Sequence, residues 1–182
     1  MERTIFDLIN WKVKWTIYKW GKDPENRIAT FLQNGGTIPD AMRIFGVEPI
    51  VEKIEGNIAL NEGLQELIDL ICGIGAPTEW DNANARIGVG DSNAAEQATH
   101  TGLQAAVNKT WKGMDATYPQ KSGQTAEWRA TFGSAEGNHG WQEFTVVNAA
   151  NDAGKNLNRK IADKGTKSVG ESWTAVLQIT FS

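Results

Sequence analysis

Cysteine is nearly missing from this chain. Cys72 is the only one in 182 residues, so no intrachain disulfide and no cysteine-based zinc site can form. That usage suits a protein made in a reducing cytoplasm. Histidine is scarce as well: His100 and His139 are the only two. Neither has a partner at i+3 or i+4, so the spacing predicts two loop histidines and no metal centre. Long apolar runs are lacking too. The opening MERTIFDLINWKVKW has neither the apolar stretch of a signal peptide nor the length of a membrane span. A protein of this kind that works outside a cell is expected to leave by a route such as lysis. Basic charge is also short, with 18 Lys and Arg against 22 Asp and Glu, a net charge of −4 and a pI near 5.3. The overall electrostatic footprint of a nucleic-acid binder is therefore missing. The local cluster Lys12, Lys14, Lys19 and Lys22 reads as the solvated face of a strand.

What remains is an ordinary soluble composition, 40% hydrophobic and 22% charged, which argues against general disorder. The length suits one domain with an appendage, or two small domains. Tryptophan is the one residue in excess, at eight. Trp11, Trp15 and Trp20 lie in the first segment; Trp80, Trp111, Trp128, Trp141 and Trp173 are spread over the rest. Large aromatics fill cores and anchor interfaces. The later five are expected mostly in the core, and at least one of the first three at an interface.

Along the chain, WKVKWTIYKW alternates Trp11, Val13, Trp15 and Ile17 with Lys12, Lys14, Thr16 and Tyr18, the period of a half-buried strand. Residues Arg27 to Pro49 show poor periodicity. AMRIF suggests a short helix there, but NGG and two prolines predict an extended or irregular arm. VEKIEGN is a possible short strand. LNEGLQELIDLICG places Leu60, Leu64, Leu67, Ile68 and Ile71 on one apolar helical face. Asn57 or Asn61 is the candidate cap, and Gly73 fits the left-handed position after the end. ARIGVGDS reads as a short buried strand running into a glycine turn. The second half is strand-rich. TAEWRATF aligns Ala126, Trp128, Ala130 and Phe132, and ESWTAVLQITFS aligns Trp173, Ala175, Leu177, Ile179 and Phe181. Strands divided by Gly, Asn, Asp and Ser clusters predict an antiparallel β-sandwich with one amphipathic helix. The expected division is a strand-containing arm over 1–55 and a helix-plus-sandwich domain over 56–182, with the last strand buried and central.

Catalytic signatures are thin. GVGDS lacks the Gly-Lys-Ser/Thr ending of a phosphate loop and reads as a tight turn. DNANAR lacks the spaced carboxylates of a calcium loop, and there is no G-x-S-x-G elbow. Glu136 and Glu143 are the one candidate carboxylate pair for glycoside hydrolysis. Glu143 lies inside WQEFTVVN, where an ion pair with a base such as Arg159 at the sheet margin is the expected role. No catalytic, cofactor-binding or metal-ligating residue is assigned.

The order of motifs says more than any single one. LNEGLQELIDLICG, ARIGVGDSNAAEQATHTGLQ, ATFGSAEGNHGWQEFTVVNA, NLNRKI and SWTAVLQITFS follow one another over about Asn57 to Ser182. This series resembles a group of small structural proteins encoded in tailed-phage genomes, and in layout it is similar to the collar-type domain at the base of phage fibres. The resemblance implies a β-sandwich and a structural role in the virion, without enzymatic activity. The implied place of action is the particle, after synthesis in the host cytoplasm. Fibre collars introduce a shaft or tip, whereas this chain stops at its last strand and carries its extra material N-terminally. That departure favours a capsid decoration, or cement, protein over a neck, tail or baseplate component. The implied partners are the major capsid protein or other virion proteins and further copies of the chain, with neither nucleic acid nor membrane. Trp11, Trp15, Ile17 and Trp20 are the expected interface residues, reached by strand addition to a partner's sheet edge. Two other classes compete. A carbohydrate-binding module requires at least two solvent-facing tryptophans in one groove. A hydrolase requires Glu136, Glu143, His139 or Asp91 to converge in a cleft.

Overall fold

Apolar–polar alternation builds most of the molecule. The computed structural model describes residues 11–182, and ten strands and three α-helices run through them. In chain order they are β1 (Trp11–Lys22), α1 (Arg27–Gln33), α2 (Ile38–Phe45), β2 (Ile50–Glu55), β3 (Ile58–Ala59), α3 (Asn61–Cys72), β4 (Arg86–Gly90), β5 (Lys109–Gly113), β6 (Gln120–Ser122), β7 (Thr125–Phe132), β8 (Glu143–Val147), β9 (Asn158–Ile161) and β10 (Glu171–Phe181). The strands form two five-stranded sheets, ordered β2-β1-β10-β7-β6 and β3-β9-β8-β4-β5, and their ladders are antiparallel. The fold is the expected β-sandwich.

β10 is central in the first sheet, as its alternation predicts. It pairs with β1 on one side and β7 on the other, so that Trp15, Leu177 and Trp128 lie in one row. These residues face Ile87, Val89, Phe144 and Val146 of the second sheet across a single core. Trp141 sits at its centre, edge-on to Phe132 at 4.7 Å and to Trp173 at 4.9 Å. Such edge-to-face contacts add about 0.5–1.5 kcal/mol each beyond the area buried.

The separate arm expected over 1–55 is not what residues 11–55 form. Residues 1–10 lie outside the described part, but β1 and β2 are strands of the first sheet, β1 pairing with β10 and β2 with β1. The expected interface residues follow suit. Trp15 and Ile17 have no exposed surface and Trp20 is 3% exposed. Trp11 is half-buried, edge-on to Phe181 at 5.2 Å. The physical reason is that a lone strand must satisfy its backbone on a sheet, and this chain's own last strand supplies that sheet.

Residues 27–45, expected as an irregular arm with a short helix at AMRIF, form two short helices, the second of which contains AMRIF. Both pack on the outer face of the first sheet, where Ile28, Leu32 and Ala41 cover Trp20. Asp23 anchors α1, accepting hydrogen bonds from the Ile28 and Ala29 amides at 2.9 Å each. Pro39 does not break α2 but sits in its first turn, where its missing N–H costs nothing. The Thr37 hydroxyl accepts from the Asp40 amide, and Gly46 closes the helix at φ 65°.

The third helix, α3, ends on Gly73 at φ 65°, as its sequence predicts, but Leu60 and neither candidate asparagine precedes its first turn. Its orientation differs from the amphipathic reading. The side toward the body carries Gly63 and two carboxylates. Glu62 accepts from the Asn156 amide at 2.9 Å, and Glu66 from the Thr78 amide at 2.7 Å. A Cβ on Gly63 would lie 2.5 Å from the Leu157 Cα, so glycine sets this close approach. Leu64, Ile68 and Ile71 consequently point outward.

Candidate functional site

Of the motifs quoted above, ARIGVGDS, WQEFTVVN and NLNRKI supply β4, β8 and β9 of the second sheet, while SWTAVLQITFS supplies β10 of the first. β4 reads RIGVG, and both of its glycines make room for what lies opposite. A Cβ on Gly88 would meet Thr145 Cγ2 at 2.8 Å and Trp111 at 3.0 Å; one on Gly90 would meet Glu143 Oε1 at 2.5 Å. The IGVG motif is therefore a strand cut away for bulky neighbours, and not a strand leading into a glycine turn. Gly90 pairs directly with Glu143 in the β4–β8 ladder.

Glu143 and Arg159 do form the expected ion pair, but in the interior and not at the sheet margin. Neither has any exposed surface. Arg159 Nε donates to Glu143 Oε2 at 2.8 Å. The same carboxylate accepts from the Gln104 amide at 2.9 Å and the Ala105 amide at 2.7 Å. Arg159 Nη1 donates to the Ala94 carbonyl at 3.0 Å and lies 3.2 Å from His100 Nδ1. Burial, together with the Arg159 charge, holds His100 below the ordinary imidazole range. The pair thus pins both ends of the helix-free 91–108 segment onto the sheet. Its charges are spent on backbone groups, so the arrangement stiffens a loop and leaves Glu143 no open side for a substrate.

A second buried pair holds the outer face of the first sheet. Arg129 Nε donates to Asp115 Oδ2 at 2.7 Å, and its Nη2 donates to the carbonyls of Leu32 and Gly36. Asp115 also accepts from the Thr131 amide and hydroxyl. Burial raises the Asp115 pKa against the opposing pull of Arg129. Lys167, with no exposed surface, donates to the Gly133 carbonyl and Asn138 Oδ1. Its desolvation lowers its pKa to about 8.

Glu136 lies elsewhere. It lines a shallow polar cleft of about 260 Å³ with Asn26, Thr30, Gln33, Lys112 and Ser134, where it pairs with Lys112 at 2.6 Å and accepts from the Gly133 amide. The two glutamates are not brought together. His139 is engaged with Thr110 at 3.0 Å and the Gly140 carbonyl at 2.9 Å, and Asp91 accepts from Asn108. Among the described residues, no group of three or more His, Cys, Asp or Glu side chains is placed to hold a metal ion, and no helix is long and apolar enough to cross a membrane. Six tryptophans are buried, while Trp11 and Trp111 are half-buried on different sheets. That provides no shared sugar platform.

Sequence reasoning missed Asp115–Arg129 and Lys167. The only available signal was a charged residue at an alternating position of a strong strand, as Arg129 is in TAEWRATF. Comparison with known protein families, curated proteins and solved structures finds no match for this chain.

Proposed function

We propose that this protein is a non-enzymatic structural component of a tailed-phage virion, with attachment to the head lattice as a capsid decoration protein as the first reading. The observation that carries the proposal is where the resemblance-bearing residues lie. Gly88, Gly90, Trp141, Glu143 and Arg159 form one interior framework. An interior framework of this kind supports a protein whose task is to hold shape. The saturation of Glu143 by buried partners supports a structural role over glycoside hydrolysis. Residues 11–55 are built into the body, so the support for a head role that came from a free arm falls away. This favours, as a second reading, a neck, tail or baseplate component, in keeping with the collar-like layout.

Quantitative mass spectrometry of purified particles tests the proposal. The protein is expected in the particle, with a copy number that scales with the major capsid protein for a decoration role. A small fixed number per particle selects the neck, tail or baseplate reading. Absence from purified particles overturns both.

A further inference from the structure

The orientation of α3 leaves an apolar stripe facing outward. Leu64 is 37% exposed, Ile68 57%, Ile71 77%, and Ile74 just past the helix 61%. Residues 64, 68 and 71 follow the four–three spacing of a helix–helix seam. The outward positions of α3 are Asn61, Leu64, Gln65, Ile68, Ile71 and Cys72, and none carries a charge. This absence is local, since 22% of the chain is charged. Of the helix's three acids, Glu62 and Glu66 are turned inward onto Asn156 and Thr78, and Asp69 is half-buried. The other exposed apolar pair, Ile50 and Val51 on edge strand β2, sits among Glu52, Lys53 and Glu55, and such a charged edge deters pairing.

We propose that the outward face of α3 is a self-association surface that takes a second copy of this chain, with the two α3 helices antiparallel about a two-fold axis at Ile68. In that register Leu64 packs against Ile71 of the second copy, and the two Ile68 side chains meet on the axis. A two-fold contact is made by the same patch on both copies, residue i meeting j and j meeting i. An uncharged face therefore meets itself without like-charge repulsion, although each copy carries a net charge of −4. A partner that recognises charge would gain nothing from this stripe. The apolar area on offer is about 400 Å² per copy, the size of a functional patch on a monomer. A standard stable interface takes about 800 Å² from each partner. The contact is accordingly a weak dimer, formed at micromolar to millimolar concentration and strengthened wherever copies are already held side by side. This inference goes beyond the virion proposal and does not depend on it, because it is measured on the purified protein alone.

Sedimentation equilibrium of the full chain over a concentration series up to the millimolar range tests it, alongside Ile68→Lys and Ile68→Glu. Ile68 is more than half exposed, so both variants are expected to keep the parent's circular dichroism and melting temperature. Each alone is expected to raise the dimer dissociation constant more than about tenfold, because like charges meet on the axis. An equimolar mixture of the two is expected to dimerise again, since opposite charges then face one another. Three results overturn the proposal. The full chain stays monomeric throughout, including the case where it dimerises only after removal of residues 1–10. Ile68→Lys dimerises like the parent. Or the mixture fails to restore association that both single variants have lost.

Discussion

Glu143→Gln removes one charge and almost no volume from the centre of the second sheet. In the parent, the carboxylate receives the Gln104 and Ala105 amides at 2.9 and 2.7 Å and Arg159 Nε at 2.8 Å, all without solvent. Glutamine keeps one acceptor oxygen, but its NH2 group must point at one of these donors. At least one amide loses its partner, and the Arg159 charge is left buried and uncompensated. Breaking a buried ion pair on one side costs about 3–5 kcal/mol, a large part of the 5–15 kcal/mol that holds a typical domain together. Urea unfolding should show a loss of that size with an unchanged m-value. Amide hydrogen exchange should localise it, with protection falling at Gln104 and Ala105 well before the β10 ladder. Arg159→Met in the same background should recover part of the loss, because it withdraws the orphaned charge. It cannot recover all of it, since the Ala94 carbonyl then also lacks its donor. A loss below about 1 kcal/mol, with unchanged exchange at residues 104 and 105, would refute the idea that this pair anchors the 91–108 segment.

Three further outcomes are expected. Leu177→Ala empties a fully buried site on the central strand and should cost about 2–5 kcal/mol by chemical denaturation; an unchanged melting temperature would contradict the placement of β10. Gly63→Ala should lower the melting temperature although alanine is the better helix former by about 1 kcal/mol, because its Cβ meets the Asn156–Leu157 backbone at 2.5 Å; stabilisation would show that α3 is not pressed against that segment. Lys167 titrates near 8 in the folded protein against an ordinary 10.5. The unfolded chain therefore binds more protons between those values, and stability rises with pH across that window, by up to about 3 kcal/mol. The stability of the parent minus that of Lys167→Met, measured at pH 7 and pH 10, should grow toward the higher pH; a constant difference would contradict burial of the ammonium.

Strands were the legible part of this chain. TAEWRATF and ESWTAVLQITFS alternate cleanly enough to fix both their existence and their inward faces. The strand at Trp11–Lys22 was equally plain, but its destination was not. Alternation says that one face is buried, not whose sheet it joins, and a strand that completes its own domain looks the same as one lent to a neighbour. Of the two outer helices only AMRIF in the second gave a sign, because seven and eight residues give barely two turns in which a period can appear. α3 shows a different limit. Its apolar stripe was correctly located, but the direction it faces was not legible. The body instead offers backbone amides at Asn156 and Thr78, which draw carboxylates inward and turn the leucine and isoleucines out. The Glu143–Arg159 pairing was visible in the motifs. Its burial was not, because charged residues are almost never fully buried unless paired.

The pairing of β1 with β10 along nearly their full lengths also bears on how the molecule is made. The first described strand and the last one lie side by side at the middle of the first sheet, so the contact that organises this sheet joins opposite ends of the chain. Topologies dominated by such distant contacts fold slowly. During synthesis, β1 must wait for residues 171–181 before it has a neighbour on that side, with Trp15 and Ile17 unable to reach their final surroundings. β7 waits for the same strand. A product that stops short of residue 171 would leave two apolar strands, β1 and β7, with open edges, which is the form in which chains add to one another and aggregate.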